Sequence, residues 1–382
     1  MKEPRQFIQV VMGPRQIGKT TLIRQVLNDI DLPFTFFTAD NIPATQSDWI
    51  ADCWESVRAK IHLESLQECV LVIDEIQKIE NWSEAVKREW DADTFNGVNI
   101  KVILLGSSRI MLLHGLSESL MGRFEEIRMA HWSYPEMRDA FGYSLEQYIF
   151  FGGYPGSASL IKNEERWRAY VHSTIVDATI NKDILYNSVV SKPALLRQTF
   201  ELGASYSGEI VSLTKMVGAL QDAGNTTTLA GYLNLLDNSG LLAGLQKHSI
   251  DNARKRASIP KFQVYNNALK VIFSNYRFKE AQLDRKQYGR LFESAVGCHL
   301  INHAFTHHYT LNYWRDGNDE VDFIISKNGR SAAIEVKSNT VGYNTGLSVF
   351  RDKFHPVHSL IVGDGGMRAE DFFCSNPADL LR

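Results

Sequence analysis

Two sets of side chains in this 382-residue sequence have types and spacings suited to chemistry. The first begins at Gly13-Pro14-Arg15-Gln16-Ile17-Gly18-Lys19-Thr20, which fits the phosphate-loop spacing G-x-x-x-x-G-K-[ST] at every fixed position. Gly13 and Gly18 let the loop between them curl so that backbone N–H groups point at a β-phosphate. Lys19 sets a point charge against the β- and γ-phosphates, and Thr20 offers a hydroxyl to Mg²⁺. Thr21 follows at the start of a helix whose N-terminal dipole end also favours an anion. Asp74 and Glu75 close the apolar run Val70-Leu71-Val72-Ile73. Asp74 would hold Mg²⁺ with Thr20, usually through water, and Glu75 would polarise the water that attacks the γ-phosphate. Standing alone, Asp74-Glu75 would read as a helix cap; downstream of a phosphate loop and a buried strand it reads as catalytic. Ser107 and Ser108 end the next apolar run, where a hydroxyl either senses the γ-phosphate or caps the helix that follows. Arg109 and Arg123 are the candidate arginines for the transferred phosphate, against the alternative of solvated surface positions.

The second set is Asp322, Glu335 and Lys337. In a strand, residues i and i+2 share a face, so Glu335 and Lys337 project together while Ile334 and Val336 go the other way. Asp322, between Val321 and Phe323, points away from their face. Two carboxylates on adjacent strands with a lysine make a hard-oxygen site suited to Mg²⁺ or Mn²⁺, and Glu293 on the preceding helix would complete it. Such an ion would polarise a scissile phosphate, and Lys337 would orient the attacking water or stabilise developing charge. The bland alternative is a surface salt bridge on an edge strand. His303, His307 and His308, near the end of the same helix, read as dipole partners or surface residues rather than ligands.

The elements that must position these groups follow from periodicity. Residues 1–142 alternate short apolar strands (Phe7–Met12, Phe34–Phe37, Cys69–Ile73, Ile100–Leu105, Phe124–Met129) with helical patterns, one carrying Leu22, Ile23, Val26 and Leu27. That alternation predicts an α/β domain, a parallel sheet with helices on both faces and ligands at its carboxyl edge. Residues 143–286 read as helical, with long helices over 164–187 and 195–206. A short helix capped by Ser212, a second from Thr226 to Leu236 and a hairpin then resemble a winged-helix module. A DNA-binding version would turn Thr226, Thr227, Thr228, Tyr232 and Asn234 to a groove, with Lys247, Arg254, Lys255, Arg256 and Lys261 on phosphates against the single acid Asp251. The second helix carries no Lys or Arg, which favours a packing module. Residues 287–382 begin with an amphipathic helix from Leu291 and continue in strands at 311–315, 319–325 and 332–337, and the tail beyond Val362 is turn-rich.

With these residues in view, the chain resembles the prokaryotic AAA-type (P-loop) ATPases that carry a C-terminal restriction-endonuclease-like domain. The stretches that carry the resemblance are Gly13 to Thr20, Ile73-Asp74-Glu75-Ile76-Gln77, Leu105-Gly106-Ser107-Ser108, Leu116 to Phe124 and Gly152-Gly153-Tyr154-Pro155. Two departures stand out: the helix expected before the first strand is missing or short, and Gly156 stands where an acidic residue is expected. Asp322 and Glu335-Val336-Lys337, with Glu293, resemble the PD-(D/E)XK nuclease core. The resemblance implies an α/β P-loop sheet domain, a winged-helix-like region and a small α/β nuclease-like domain. It also implies ATP and Mg²⁺ as ligands, and assembly into homo-oligomers is typical of such ATPases.

Composition bounds the rest. With 44% hydrophobic and 22% charged residues the chain is globular, and a net charge of −3 argues against a broadly basic nucleic-acid coat. Cys53, Cys69, Cys298 and Cys374 lack metal-site spacing. No run approaches a membrane span, and Met1-Lys2-Glu3-Pro4 leads almost directly into the first strand, so a cytoplasmic protein without a signal peptide is expected. Two functions follow as expectations. One is an ATPase coupled to a metal-dependent nuclease-like domain acting on nucleic acid; the other is a nucleotide-gated DNA- or protein-binding switch with an inactive nuclease-like domain.

Overall fold

The structure, a computed structural model, describes residues 3–106, 119–185, 188–220, 224–249, 258–338 and 345–382. The chain forms two compact units, Met1–Met129 and Ala130–Arg382.

The first unit is built on five parallel strands, β1 (Ile8–Met12), β2 (Phe34–Thr38), β3 (Cys69–Asp74), β4 (Ile100–Gly106) and β5 (Phe124–Arg128), in the order β2-β3-β4-β1-β5. The strands read as apolar runs because both faces are covered. Side-chain alternation sends Val10, Met12, Leu71, Ile73, Val102 and Leu104 into a core with Trp54, Val57, Trp82 and Val86, from helices α2 (Asp48–Leu63) and α3 (Trp82–Asn96). Val11, Val70, Val72, Ile103 and Leu105 face the other way, onto Ile23 and Leu27 of helix α1 (Lys19–Asp29). The stripe of α1 is narrower than the sequence suggests, since Leu22 lies 38% exposed. All carboxyl ends emerge at one edge, so β1 delivers the phosphate loop and β3 delivers Asp74-Glu75 to the same side, with β4 between them.

The second unit contains both the middle and the C-terminal segments. Phe200, Phe262 and Val264 from the middle segment share one core with Leu291, Ala295, Phe323 and Ile334 from the C-terminal segment. The expected long helix begins at Glu164–Tyr170 and runs on in π-helical turns at Val171–Asp177 and Thr179–Leu185. A helix at Pro193–Ser205 follows, then the pair Leu213–Ala219 and Thr226–Asn238, and the antiparallel strands β6 (Leu242–Leu245) and β7 (Lys261–Val264). Ser212 caps the first of the pair by accepting from the Lys215 N–H. A 23-residue helix, α4 (Arg285–His307), lies against β7 so closely that a Cβ on Gly297 would sit 2.0 Å from Gln263 Oε1. Strands β8 (Thr310–Asp316), β9 (Asp319–Lys327), β10 (Arg330–Lys337) and β11 (His358–Gly363) make a mixed sheet ordered β11-β10-β9-β8, in which β10 and β11 are parallel. The tail beyond Val362 therefore hides the helix Ala369–Phe373, and β11, just before it, has no counterpart in the sequence reading.

The histidines of α4 correct a second expectation. His299, His303 and His307 stack along one face, with ring centroids 4.5 and 5.3 Å apart, and His299 packs on Phe372 and Phe373. Only His307 and the left-handed cap residue His308 belong to the helix end. Burial and the neighbouring imidazole push His299 down to about 3, and burial with His307 pushes His303 down to about 4. Both rings stay neutral in the folded chain while the unfolded chain takes up protons below about 6.5. Stability is therefore complete above that pH and falls as pH drops from about 6.5 towards 3–4, at about 1.4 kcal/mol per pH unit for each histidine. Unfolding of His299→Leu followed from pH 7 to 4.5 is expected to show a shallower pH slope than the parent; equal slopes would refute the account.

Candidate functional site

The nucleotide site is assembled by the carboxyl edge of the first sheet. Gly13 leaves β1 beneath the main chain of Met129, and a Cβ there would meet Met129 O at 2.3 Å and Ile17 Cδ1 at 2.6 Å. This position is glycine because of close packing rather than unusual dihedrals. Gly18, by contrast, adopts φ 89° as the N-cap of α1, a conformation that glycine reaches without strain, and Gln16 is also left-handed at φ 62°. Lys19 is buried, and its Nζ donates to the carbonyls of Gly13 (2.9 Å) and Pro14 (2.8 Å), so the ammonium lies inside the loop. Thr20, Thr21 and the rest of the first turn of α1 follow directly.

Across β4, Thr20 Oγ1 donates to Asp74 Oδ2 at 2.8 Å. The other oxygen of Asp74 accepts the Glu75 N–H at 2.9 Å. Burial pushes the Asp74 carboxyl upward, the Thr20 hydrogen bond opposes this, and the charge of Glu75 adds to it. Glu75 stands in the left-handed region at φ 55°, which turns its side chain at the strand end, and Gln77 Nε2 donates to Glu75 Oε2 at 2.7 Å. Gln77 closes one of the stretches that carry the resemblance, which gives it no role there; a tight turn at Ile76–Lys78 brings it back to Glu75. A hydroxyl and a carboxylate in contact, beside an anion-binding loop, suit Mg²⁺ held with a nucleotide phosphate.

Arg123 does not join this site within the chain. It immediately precedes β5, and its carbonyl accepts the Ile8 N–H at the start of β1, which places it at the amino edge of the parallel sheet. There its guanidinium makes two bonds to Asp91, at 2.7 and 3.0 Å. Ser107, Ser108 and Arg109 lie outside the described residues.

In the middle segment, Thr226, Thr227 and Asn234 are exposed, as a surface-facing helix requires, and Thr228 is half-buried. Tyr232 is not available to a groove: it is buried, and its hydroxyl accepts the Lys192 N–H at 3.1 Å. Arg254, Lys255, Arg256 and Asp251 lie outside the described residues, and Lys247 is half-buried. Lys261 is not a surface phosphate contact. It is fully buried, with Nζ 2.7 Å from Glu293 Oε1.

The second candidate set is brought together in part. Pairing of β9 with β10 sets Asp322 beside the end of β10, where Asp322 Oδ2 accepts the Val336 N–H at 2.8 Å. Lys337 Nζ lies 2.9 Å from Glu335 Oε1, as the shared strand face predicts. Burial and the charge of Asp322 push Glu335 up to about 7. Glu293, however, is drawn to Lys261, and burial holds it up at about 7 against that attraction. Among the described residues, no three His, Cys, Asp or Glu side chains are grouped so as to hold a metal ion. Of the expected ligands, Glu293 and Asp322 both face Lys261, and Glu335 pairs with Lys337.

Comparison with known proteins fits this geometry at the first site. The family described as an AAA domain matches residues 5–138, so an AAA-type, ATPase-like domain stands at the N-terminal end. Two families described as domains of unknown function, DUF8612 and DUF4143, match residues 142–280 and 288–372. An uncharacterized protein of Haemophilus influenzae is 22% identical over 357 residues, covering 87% of this chain and 84% of its own. An uncharacterized protein of Mycobacterium tuberculosis is 25% identical over 334 residues, covering 86% and 70%. Among solved structures, a RuvB of Thermotoga maritima aligns with a TM-score of 0.30 at 14% identity, over 62% of this chain and 82% of its own.

Proposed function

We propose that the chain is a Mg²⁺-dependent ATPase whose nucleotide state gates DNA binding by residues 130–382. The observation that carries the enzymatic half is the 2.8 Å contact between Thr20 and Asp74, which unites the phosphate loop with the acidic strand end across β4. The loop N–H groups and Lys19 bind the phosphates, and Thr20 with Asp74 holds the metal. Bound Mg²⁺ neutralises phosphate charge and orients the transferred group. Glu75 takes a proton from the attacking water, and Gln77 fixes the carboxylate that does so. No helix among the described residues is long and apolar enough to cross a membrane.

Support for DNA as the output comes from the helix pair followed by a hairpin, with Thr226, Thr227 and Asn234 left exposed on the second helix. The switch is favoured over the nuclease, because lysines already occupy the carboxylates that cleavage would need for a metal. The test is duplex DNA affinity at low salt, with and without Mg²⁺-ATP. A change in Kd of about tenfold is expected in the parent, within the usual range of coupling between sites, and none in Lys19→Ala. DNA binding indifferent to nucleotide would end the gating claim, and no DNA binding at all would move the output to a protein partner.

A further inference from the structure

The acidic cluster of the C-terminal sheet already contains a cation, supplied from the middle segment. Lys261 opens β7, a strand whose four residues are all buried. Its Nζ lies 2.7 Å from Glu293 Oε1, 3.5 Å from Asp322 Oδ1 and 4.0 Å from Glu320 Oε1. It also donates to the main-chain oxygen of Asp322 at 3.2 Å and sits 4.7 Å from the centre of the Phe323 ring. An ammonium leaves water only where carboxylates meet it at short range, and here three do, with an aromatic face beneath.

A hard divalent ion would need the same oxygens. Lys261 holds Glu293 and faces one oxygen of Asp322. The Val336 N–H takes the other Asp322 oxygen, and Lys337 takes Glu335 Oε1. Glu335 Oε2 is the one carboxylate oxygen, among the described residues, that is buried without a hydrogen-bond partner. With Lys261 and Lys337 already on these carboxylates, Mg²⁺ or Mn²⁺ would meet two ammonium charges at the same oxygens. The residues do not fit a resident metal as they stand.

We propose that Lys261 is the resident cation of this cluster, standing in for the metal of a nuclease-like site, and that removing its ammonium converts Glu293, Asp322 and Glu335 into a divalent-cation site. The charge count favours the conversion. Glu293, Glu320, Asp322 and Glu335 face Lys261, Lys337 and, at Glu320, Arg315, so losing Lys261 leaves one more uncompensated negative charge among oxygens already close together. The ammonium also has a second consequence: it fastens the hairpin of the middle segment to α4 and β9, which is one physical reason that residues 130–382 form one unit.

The test is Mn²⁺ titration of the nucleotide-free full chain, with free Mn²⁺ followed by electron paramagnetic resonance. Only binding that Glu335→Gln removes is counted, which separates this cluster from an ion at the phosphate loop. The parent is expected to show no such binding. Lys261→Met, which keeps an apolar stem, is expected to gain one equivalent, and Lys261→Met with Glu335→Gln is expected to lose it. A Glu335-dependent equivalent in the parent overturns the proposal, and this arm decides even if Lys261→Met fails to fold. A folded Lys261→Met chain that gains no Mn²⁺ overturns it as well. Neither outcome bears on ATP hydrolysis, which is assayed separately.

Discussion

Lys19→Ala is expected to lower ATP turnover at least about a hundredfold while the chain stays folded. A preorganised charge aimed at the transferring phosphoryl group acts in a site partly closed to water, and removing one such donor elsewhere costs about 10²–10³ in rate. Lys19 is buried within the loop, held by the Gly13 and Pro14 carbonyls, so its position is set before any phosphate arrives. Glu75→Gln should give a loss of similar size, about 10²–10⁴, by a different route, because the amide cannot take the proton from water. The two variants separate in binding. Lys19→Ala should weaken nucleotide affinity, whereas Glu75→Gln should retain it. Equilibrium binding of a fluorescent ATP analogue, run beside a phosphate-release assay, reads both. Turnover in either variant within a few-fold of the parent would remove its residue from the mechanism.

The second large effect is on stability. Asp93 of α3 is 1% exposed and anchors a polar network behind the sheet. Its Oδ2 accepts from Trp54 Nε1 at 3.0 Å, and its Oδ1 lies 2.7 Å from the Arg58 guanidinium, which also reaches Glu89 at 2.9 Å. Asp93→Ala leaves the indole N–H without an acceptor and strips the buried end of the ion pair, a loss of about 3–5 kcal/mol. Asp93→Asn, which keeps an acceptor for Trp54, should cost less. Because the chain holds two units, the transition belonging to the first is identified in urea unfolding as the one that Mg²⁺-ATP moves to higher denaturant. A midpoint shift no larger for Asp93→Ala than for a surface substitution would show that the network carries little.

The phosphate loop and Asp74-Glu75 were legible because each is a short contiguous signal in a strand context. Strand alternation likewise placed Glu335 and Lys337 on one face, because β10 is regular there. For Arg123 the sequence held both readings, and its place was legible too: a residue that precedes a strand of a parallel sheet sits at the edge opposite the loops. Lys261 was harder. A lysine at the start of Phe262-Gln263-Val264 looks like the polar margin of a hairpin, and its partners Glu293 and Asp322 lie 32 and 61 residues away, beyond the reach of any periodicity. The histidine stack failed for a related reason. The i, i+4 spacing of His299, His303 and His307 is visible, but the Phe372-Phe373 wall that buries it comes from the tail.

Met129 is the last residue of the first unit, and its N–H bonds the carbonyl of Met12 at 2.8 Å while its own carbonyl crowds Gly13. The main chain therefore leaves for the second unit directly from the phosphate loop. Loop and chain exit are thus fastened to each other: a side chain at position 13 would push on Met129, the residue at which the first unit ends.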